Sequence, residues 1–194
     1  MVQLETVDGT ALHAHADVLD SGHGIRTDTP WNSFKTSTVE RFLEYCYQGD
    51  YSAPKPAKPL LATPTSSVDD RDSEDSDTED DTVLRHPDGL DYGEVFFSHA
   101  ELYVLSQTQK RSSLTALCLN RLHKALDKAG TVPVRPQFAN NLSDLLFYVY
   151  EHSNVGLIDD QQAHGLQNLV SSCAAMHIKE MREECNLLMR WRRT

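Results

Sequence analysis

The chain opens with strict alternation. Val2, Leu4 and Thr6 take every second place among polar neighbours, and Ala11-Leu12-His13-Ala14-His15 follows the Asp8-Gly9 pair. A period of two with an Asp-Gly turn signal predicts a β-hairpin, and Asp-Gly favours a two-residue turn. From Ser37 the period becomes helical: Val39, Phe42, Leu43, Cys46 and Tyr47 fall at i, i+3, i+4, i+7 and i+8, with Gly49 as the stop. After a long polar interval, folded structure is expected to resume near Tyr92 to Phe97, and four more helical stretches follow. These are about Ser98 to Ser106, Ser112 to Lys128, Phe138 to His152 and Gln161 to Met189. Their expected inward residues include Leu102 and Leu105; Leu114, Leu117, Cys118, Leu122 and Leu126; Phe138, Leu142, Leu145, Leu146 and Val149; and Leu166, Leu169, Val170, Cys173 and His177. One hairpin followed mostly by helices is an α+β pattern.

Composition changes sharply between these regions. Five of the eight prolines (Pro54, Pro56, Pro59, Pro64, Pro87) lie between Ala53 and Asp88, and Val68 is the one apolar residue from Ser66 to Asp81. Such a segment buries too little apolar surface to offset its ordering entropy, so residues 53–90 are expected to be a disordered insertion. Asp69 to Asp81 holds nine carboxylates and one arginine, a charge of −8 within a formal −11 for the 194 residues. The acidity belongs to that stretch, and the balance argues against direct nucleic-acid binding, which needs a basic face.

Candidate chemistry is sparse. The sequence holds no phosphate loop, no His-Glu-x-x-His and no Gly-x-Ser-x-Gly. His13 with His15, and Cys173 with His177, share faces, but neither pair brings the further ligands of a closed zinc site. No metal or cofactor is expected, and no enzyme activity. The cysteines (Cys46, Cys118, Cys173, Cys185) form no CxxC pair, and those on apolar faces read as small core residues. The start shows no basic, apolar signal-peptide pattern and no apolar run is long enough for a membrane helix, so the expected location is cytoplasmic or nuclear, with free thiols. The Asn141-Leu142-Ser143 sequon reads as chance in that setting. Ser66, Ser67, Ser76 and Thr78 each precede an acidic residue by three positions, as an acidophilic kinase accepts; the stretch also reads simply as a solvated spacer. Arg190-Trp191-Arg192-Arg193 suits a nuclear signal or the cation-favouring end of a helix.

Particular residues resemble the BTB/POZ family, especially its fungal branch. Leu12-His13-Ala14-His15-Ala16-Asp17-Val18-Leu19 resembles the family's apolar-x-apolar-His-x-x-apolar-Leu run, which puts His15 at the signature histidine. Val39 to Tyr51 resembles the helix ending in a tyrosine-x-glycine-acidic-tyrosine turn, with Phe42, Tyr47, Gly49, Asp50 and Tyr51 in place. His99-Ala100-Glu101-Leu102-Tyr103-Val104-Leu105 and Leu114 to Leu122 resemble the next helix pair. Leu145 to Glu151 and Leu166 to Val170 resemble the helices after the domain.

The resemblance implies a small sheet packed on a helix cluster, built from residues 1–52 and 91–130, with a C-terminal helical extension over 131–194. It implies a structural His15, whose ring bonds the fold's own backbone, and a non-catalytic protein-interaction role. The leading expectation is a substrate adaptor for a cullin-type ubiquitin ligase or a partner of other BTB proteins; the alternative is a nuclear transcriptional or chromatin-associated regulator. Contact with nucleic acid or membrane is not expected. One stretch departs from the family: Ser21 to Pro30 lacks the serine-x-x-phenylalanine helix and the following strand. Weak or absent self-association is therefore expected, and cullin contacts lose part of their usual basis.

Overall fold

The computed structural model describes residues 1–19, 31–58, 90–130, 136–153 and 165–178. Among these the fold is mixed: mostly helical, with one two-stranded antiparallel sheet at the N-terminus. Strands β1 (Val2–Glu5) and β2 (Ala11–Ala14) pair in register Val2↔Ala14, Gln3↔His13, Leu4↔Leu12 and Glu5↔Ala11. Alternation turns Leu4, Thr6 and Ala14 inward, all buried. The Thr6 amide donates to Thr10 O and the Gly9 amide to Thr6 O, both at 3.0 Å, which makes the loop Val7-Asp8-Gly9. The expected two-residue turn is thus a three-residue one, with Gly9 in the left-handed conformation at φ 72°.

After the short α1 (Ala16–Leu19) and a 3-10 turn (Trp31–Ser33), α2 spans Thr36–Gln48. Its start borrows a cap from the hairpin: Asp8 Oδ2 accepts the Thr36 amide at 2.9 Å, a carboxylate at the positive end of the helix. Its end is Gly49 at φ 74°, whose amide donates to Tyr45 O. Val39, Phe42 and Leu43 are buried, and Trp31 packs on Phe42 with ring centroids 5.6 Å apart.

Helices α3 (Gly93–Thr108) and α4 (Ser112–Ala129) form the most extensive contact among the described elements. Helix α3 starts five residues before the expected Ser98. Asp91 Oδ1 accepts the Gly93 amide at 2.8 Å and so starts the helix. Because α3 is buried on most sides, from Val95 and Phe96 to Leu105 and Ser106, no single apolar stripe marks its beginning. The turn into α4 passes through Lys110 at φ 54°. Ser106 and Thr115 then join the two helices through hydroxyls 2.8 Å apart.

Helix α5 (Pro136–Ser153) packs on α3, with Phe138 against Phe96 and Tyr148 against Phe97. A sixth helix, α6, covers residues 165–178, and Leu166, Val170 and Cys173 are buried on it. Leu169 and His177, expected inside, are only half-buried; His177 nonetheless sets its ring against Phe138, 5.2 Å away. No helix among the described residues is long and apolar enough to cross a membrane.

The expected insertion, residues 53–90, has described residues at both ends. Pro54 and Pro56 are half-buried, and Ala57 pairs with Asp91 in an antiparallel bridge closed by backbone bonds of 2.9 and 2.8 Å. Ser66, Ser67, Ser76 and Thr78 lie outside the described residues, as do Ser21 to Pro30, the end of the expected last helix beyond 178, Cys185 and the basic run at 190–193.

Candidate functional site

Several of the residues that carry the family resemblance lie at the C-terminal end of α2 and on α3. Gly49 turns the chain, and Tyr51 then drops into the core, 3% exposed. Its hydroxyl lies 2.8 Å from Nδ1 of His99, which α3 holds at 3% exposure, and the rings meet edge to face. Arg121 of α4 covers the other face of Tyr51, its guanidinium carbon 4.4 Å from the ring centroid. It also donates to the Tyr51 carbonyl and, at 2.6 Å, to Asp50 Oδ1. Three chain segments are thereby locked at one point. Ala100 and Leu102 on α3, both 0% exposed, and Phe42 on α2 belong to the same hydrophobic core as Tyr51.

Burial sets the electrostatics of this cluster. It pushes the Tyr51 hydroxyl far above its usual range, and the Cys118 thiol up to about 12. It pushes His99 down to about 4, helped by the nearby Arg121 and Arg41 charges. The Asp50 carboxyl is lowered, first by the Tyr51 amide bond and then by Arg121. At neutral pH the cluster is a neutral histidine, a neutral phenol and a protonated thiol clasped by one ion pair. Cys46 and Cys173 are likewise shifted upward by burial, Cys173 to about 11, which keeps these thiols weak nucleophiles.

His15 takes a different position from the expected one. Ala14 is the inward residue of β2, so His15 next to it faces out and is exposed. Its Nδ1 lies 2.8 Å from the Tyr47 hydroxyl, which also accepts the His15 amide at 3.1 Å. The ring is therefore bonded to a side-chain hydroxyl of α2 and not to backbone. Both residues came from the sequence; their pairing did not. Two residues of the cluster, His99 and Arg121, had no assigned role. Arg121 stands beside Leu122 on the flank of an apolar stripe, where a long cationic side chain can cover an aromatic ring. The sequon residue Asn141 proves to be an internal tie, donating from Nδ2 to Asp91 Oδ1 at 2.8 Å.

Two clefts open nearby. One of about 320 Å³ has Lys35, Arg41, Asp91, Glu101 and Asn141 around Phe97. Within it Lys35 Nζ and the Thr38 hydroxyl each donate to Glu101 at 2.6 Å. The other, about 370 Å³, has Tyr45, Cys46, Gly49, Lys110 and Arg111 in its walls. Among the described residues no group of three His, Cys, Asp or Glu is placed to hold a metal ion.

The outer side of α5 carries exposed aromatic residues beside the exposed Asp144 and Glu151. Phe147 is 72% exposed and Tyr150 50%, at i and i+3 on one face of α5; Met176 and Ile178 are exposed on α6. The Tyr150 hydroxyl lies 2.9 Å from that of Ser171, which fixes this face relative to α6. Compared with protein-family models, with curated proteins and with solved structures, the chain matches none.

Proposed function

We propose that this chain is a non-catalytic protein-interaction module of the BTB/POZ type, an adaptor whose partners are other BTB proteins or a cullin-type ubiquitin-ligase scaffold. The observation that carries the interaction role is the exposed aromatic face of α5, Phe147 and Tyr150, on a helix whose opposite side is rooted in the core through Phe138, Leu142, Leu145 and Val149. Apolar anchors on a rigid element are what partner recognition uses, since aromatic side chains contribute a disproportionate share of interface energy. The BTB/POZ assignment rests on the residues that carry the resemblance. Tyr51, Ala100, Leu102 and Phe42 are all buried in the hydrophobic core, and His15 bonds Tyr47 at the surface.

Affinity purification with mass spectrometry, run on the wild type and on Phe147→Ala/Tyr150→Ala, tests this reading. Partners recovered by the wild type should be lost from the double variant, whose melting temperature should stay unchanged because both residues are exposed. Identical partner sets from the two proteins would remove the α5 face from the reading. Absence of both cullins and BTB proteins from the wild-type set would remove the adaptor assignment.

A further inference from the structure

The fixed charges on α5 and α6 are all negative. Neither helix holds a Lys or an Arg, and their carboxylates are Asp144 and Glu151, both exposed on α5. These stand at i−3 and i+4 from Phe147, so one stripe of α5 reads carboxylate, aromatic, carboxylate, with Tyr150 beside it. Asp144 also enters the wall of the cleft around Phe97, together with the exposed Glu94 from the first turn of α3. Two cations line that cleft and both are engaged. Lys35 pairs with Glu101, and Arg41 donates to the carbonyls of Ser37 and Ser52. Among the described residues Glu94, Asp144 and Glu151 have no hydrogen-bond or ion-pair partner.

We propose that the outer face of α5 docks a basic amphipathic helix of a partner protein, its apolar stripe on Phe147 and Tyr150 and its cations on Asp144, Glu151 and Glu94. The docking rests on the interaction role of that face and adds the chemistry of the partner.

Complementarity picks this occupant. Two exposed aromatics call for apolar anchors, and the carboxylates one turn away on either side call for cations. A helix offers both at the right spacing, because its residues repeat at the same pitch of about 5.4 Å as those of α5. An extended peptide would need backbone partners, and the backbone of α5 is bonded within its own helix. The stripe from Asp144 to Glu151 runs about 10 Å, so a partner helix of about fifteen residues covers it. A second copy of this chain fits badly. Set antiparallel about Phe147, Asp144 of one copy would meet Glu151 of the other, like charge on like. Nucleic acid and acidic lipid are repelled by the same carboxylates.

Fluorescence anisotropy on the intact chain tests the proposal with two synthetic peptides of about fifteen residues. One carries a leucine stripe flanked by arginines at helical spacing; the other is its scramble, of equal composition and charge but without the stripe. Asp69 to Asp81, at −8, attracts any arginine-rich peptide, so the quantity read is the ratio of the two affinities. The striped peptide should bind the wild type about ten-fold or more tightly than its scramble. That ratio should fall to about one in Phe147→Ala/Tyr150→Ala and at least about three-fold in Asp144→Asn/Glu151→Gln, with unchanged circular dichroism. In Asp144→Lys/Glu151→Lys the preference should pass to a striped peptide with glutamates in place of the arginines, again measured against its own scramble.

A ratio near one in the wild type, or an arginine preference that survives the charge reversal, overturns the proposal. So does a dimer in sedimentation that Phe147→Ala dissolves, since a second copy would then hold the face. If Asp144→Asn/Glu151→Gln keeps every partner that Phe147→Ala/Tyr150→Ala loses, the interaction role of α5 stands and the basic helix falls. A ratio unmoved by Phe147→Ala/Tyr150→Ala removes the α5 face itself, and the docking with it.

Discussion

Two histidine–tyrosine pairs flank the end of α2, and each has a ring nitrogen 2.8 Å from a phenol oxygen. His15 and Tyr47 are exposed, while Tyr51 and His99 are each 3% exposed. The bond is the same and its surroundings are not. In water a broken His15–Tyr47 bond is replaced by two bonds to solvent, so it fixes orientation at little net energy. In the core no such replacement exists, and losing one partner leaves the other unsatisfied at the full desolvation cost. Chemistry alone does not rank these contacts; burial does.

The largest expected effect comes from emptying the buried pair. Tyr51→Ala removes the ring under Arg121 and leaves a cavity, with an expected loss of about 3–5 kcal/mol, read from the urea midpoint at unchanged m-value. A loss below about 1 kcal/mol would show that the cluster is looser than its burial implies.

Acid comes next. His99 takes up its proton near 4 in the fold, against 6.5 for the ordinary side chain. Between those values the unfolded chain binds more protons, so stability is complete above about pH 6.5 and declines as the pH falls toward 4. The full span corresponds to about 3 kcal/mol. Depressed carboxyls such as Asp50 and Asp91 withdraw their contributions lower still, as the pH passes through their own folded values. Denaturant midpoints at pH 7 and 5 test this: His99→Asn should lose most of the difference. If it keeps the whole difference, the slope belongs to other groups.

Tyr51→Phe is gentler. The ring stays and only the hydroxyl goes, stranding His99 Nδ1 at an expected cost of about 1–3 kcal/mol. The matching change outside, Tyr47→Phe, should move stability by no more than about half a kcal/mol. Comparable losses from the two Tyr→Phe variants would show that burial does not rank these two bonds.

What could be read from the sequence follows the same division. Wherever a face is half buried, the period exposes it: the alternation of the hairpin, Val39, Phe42 and Leu43 of α2 with their glycine stop, and most inward residues of α4 and α5 were legible, whereas the three-residue turn shifts the hairpin register and Tyr47, expected on the α2 stripe, is exposed. Where a helix is buried nearly all round, as α3 is, there is no contrast to read, and its start at Gly93 depends on the Asp91 side chain. The polar cluster was legible only as names. Tyr51 and Asp50 stood out through a family-like motif, but Arg121 lies about seventy positions away, and no local period links the two. Asn141 misled for the same reason, since its partner Asp91 is fifty residues upstream. Sequence periodicity reports how much each residue is covered; it is silent on which distant polar group covers it.

The Ala57–Asp91 bridge has a practical consequence for engineering. Two backbone bonds join the strands of chain that flank residues 58–90, so the rest of the fold meets that interval as a stem of fixed width. The closure entropy of a loop grows only with the logarithm of its length, about 0.6 kcal/mol for each doubling. The stem is therefore a natural graft point, where a reporter domain or an epitope could replace the native interval while the helices around it keep their places.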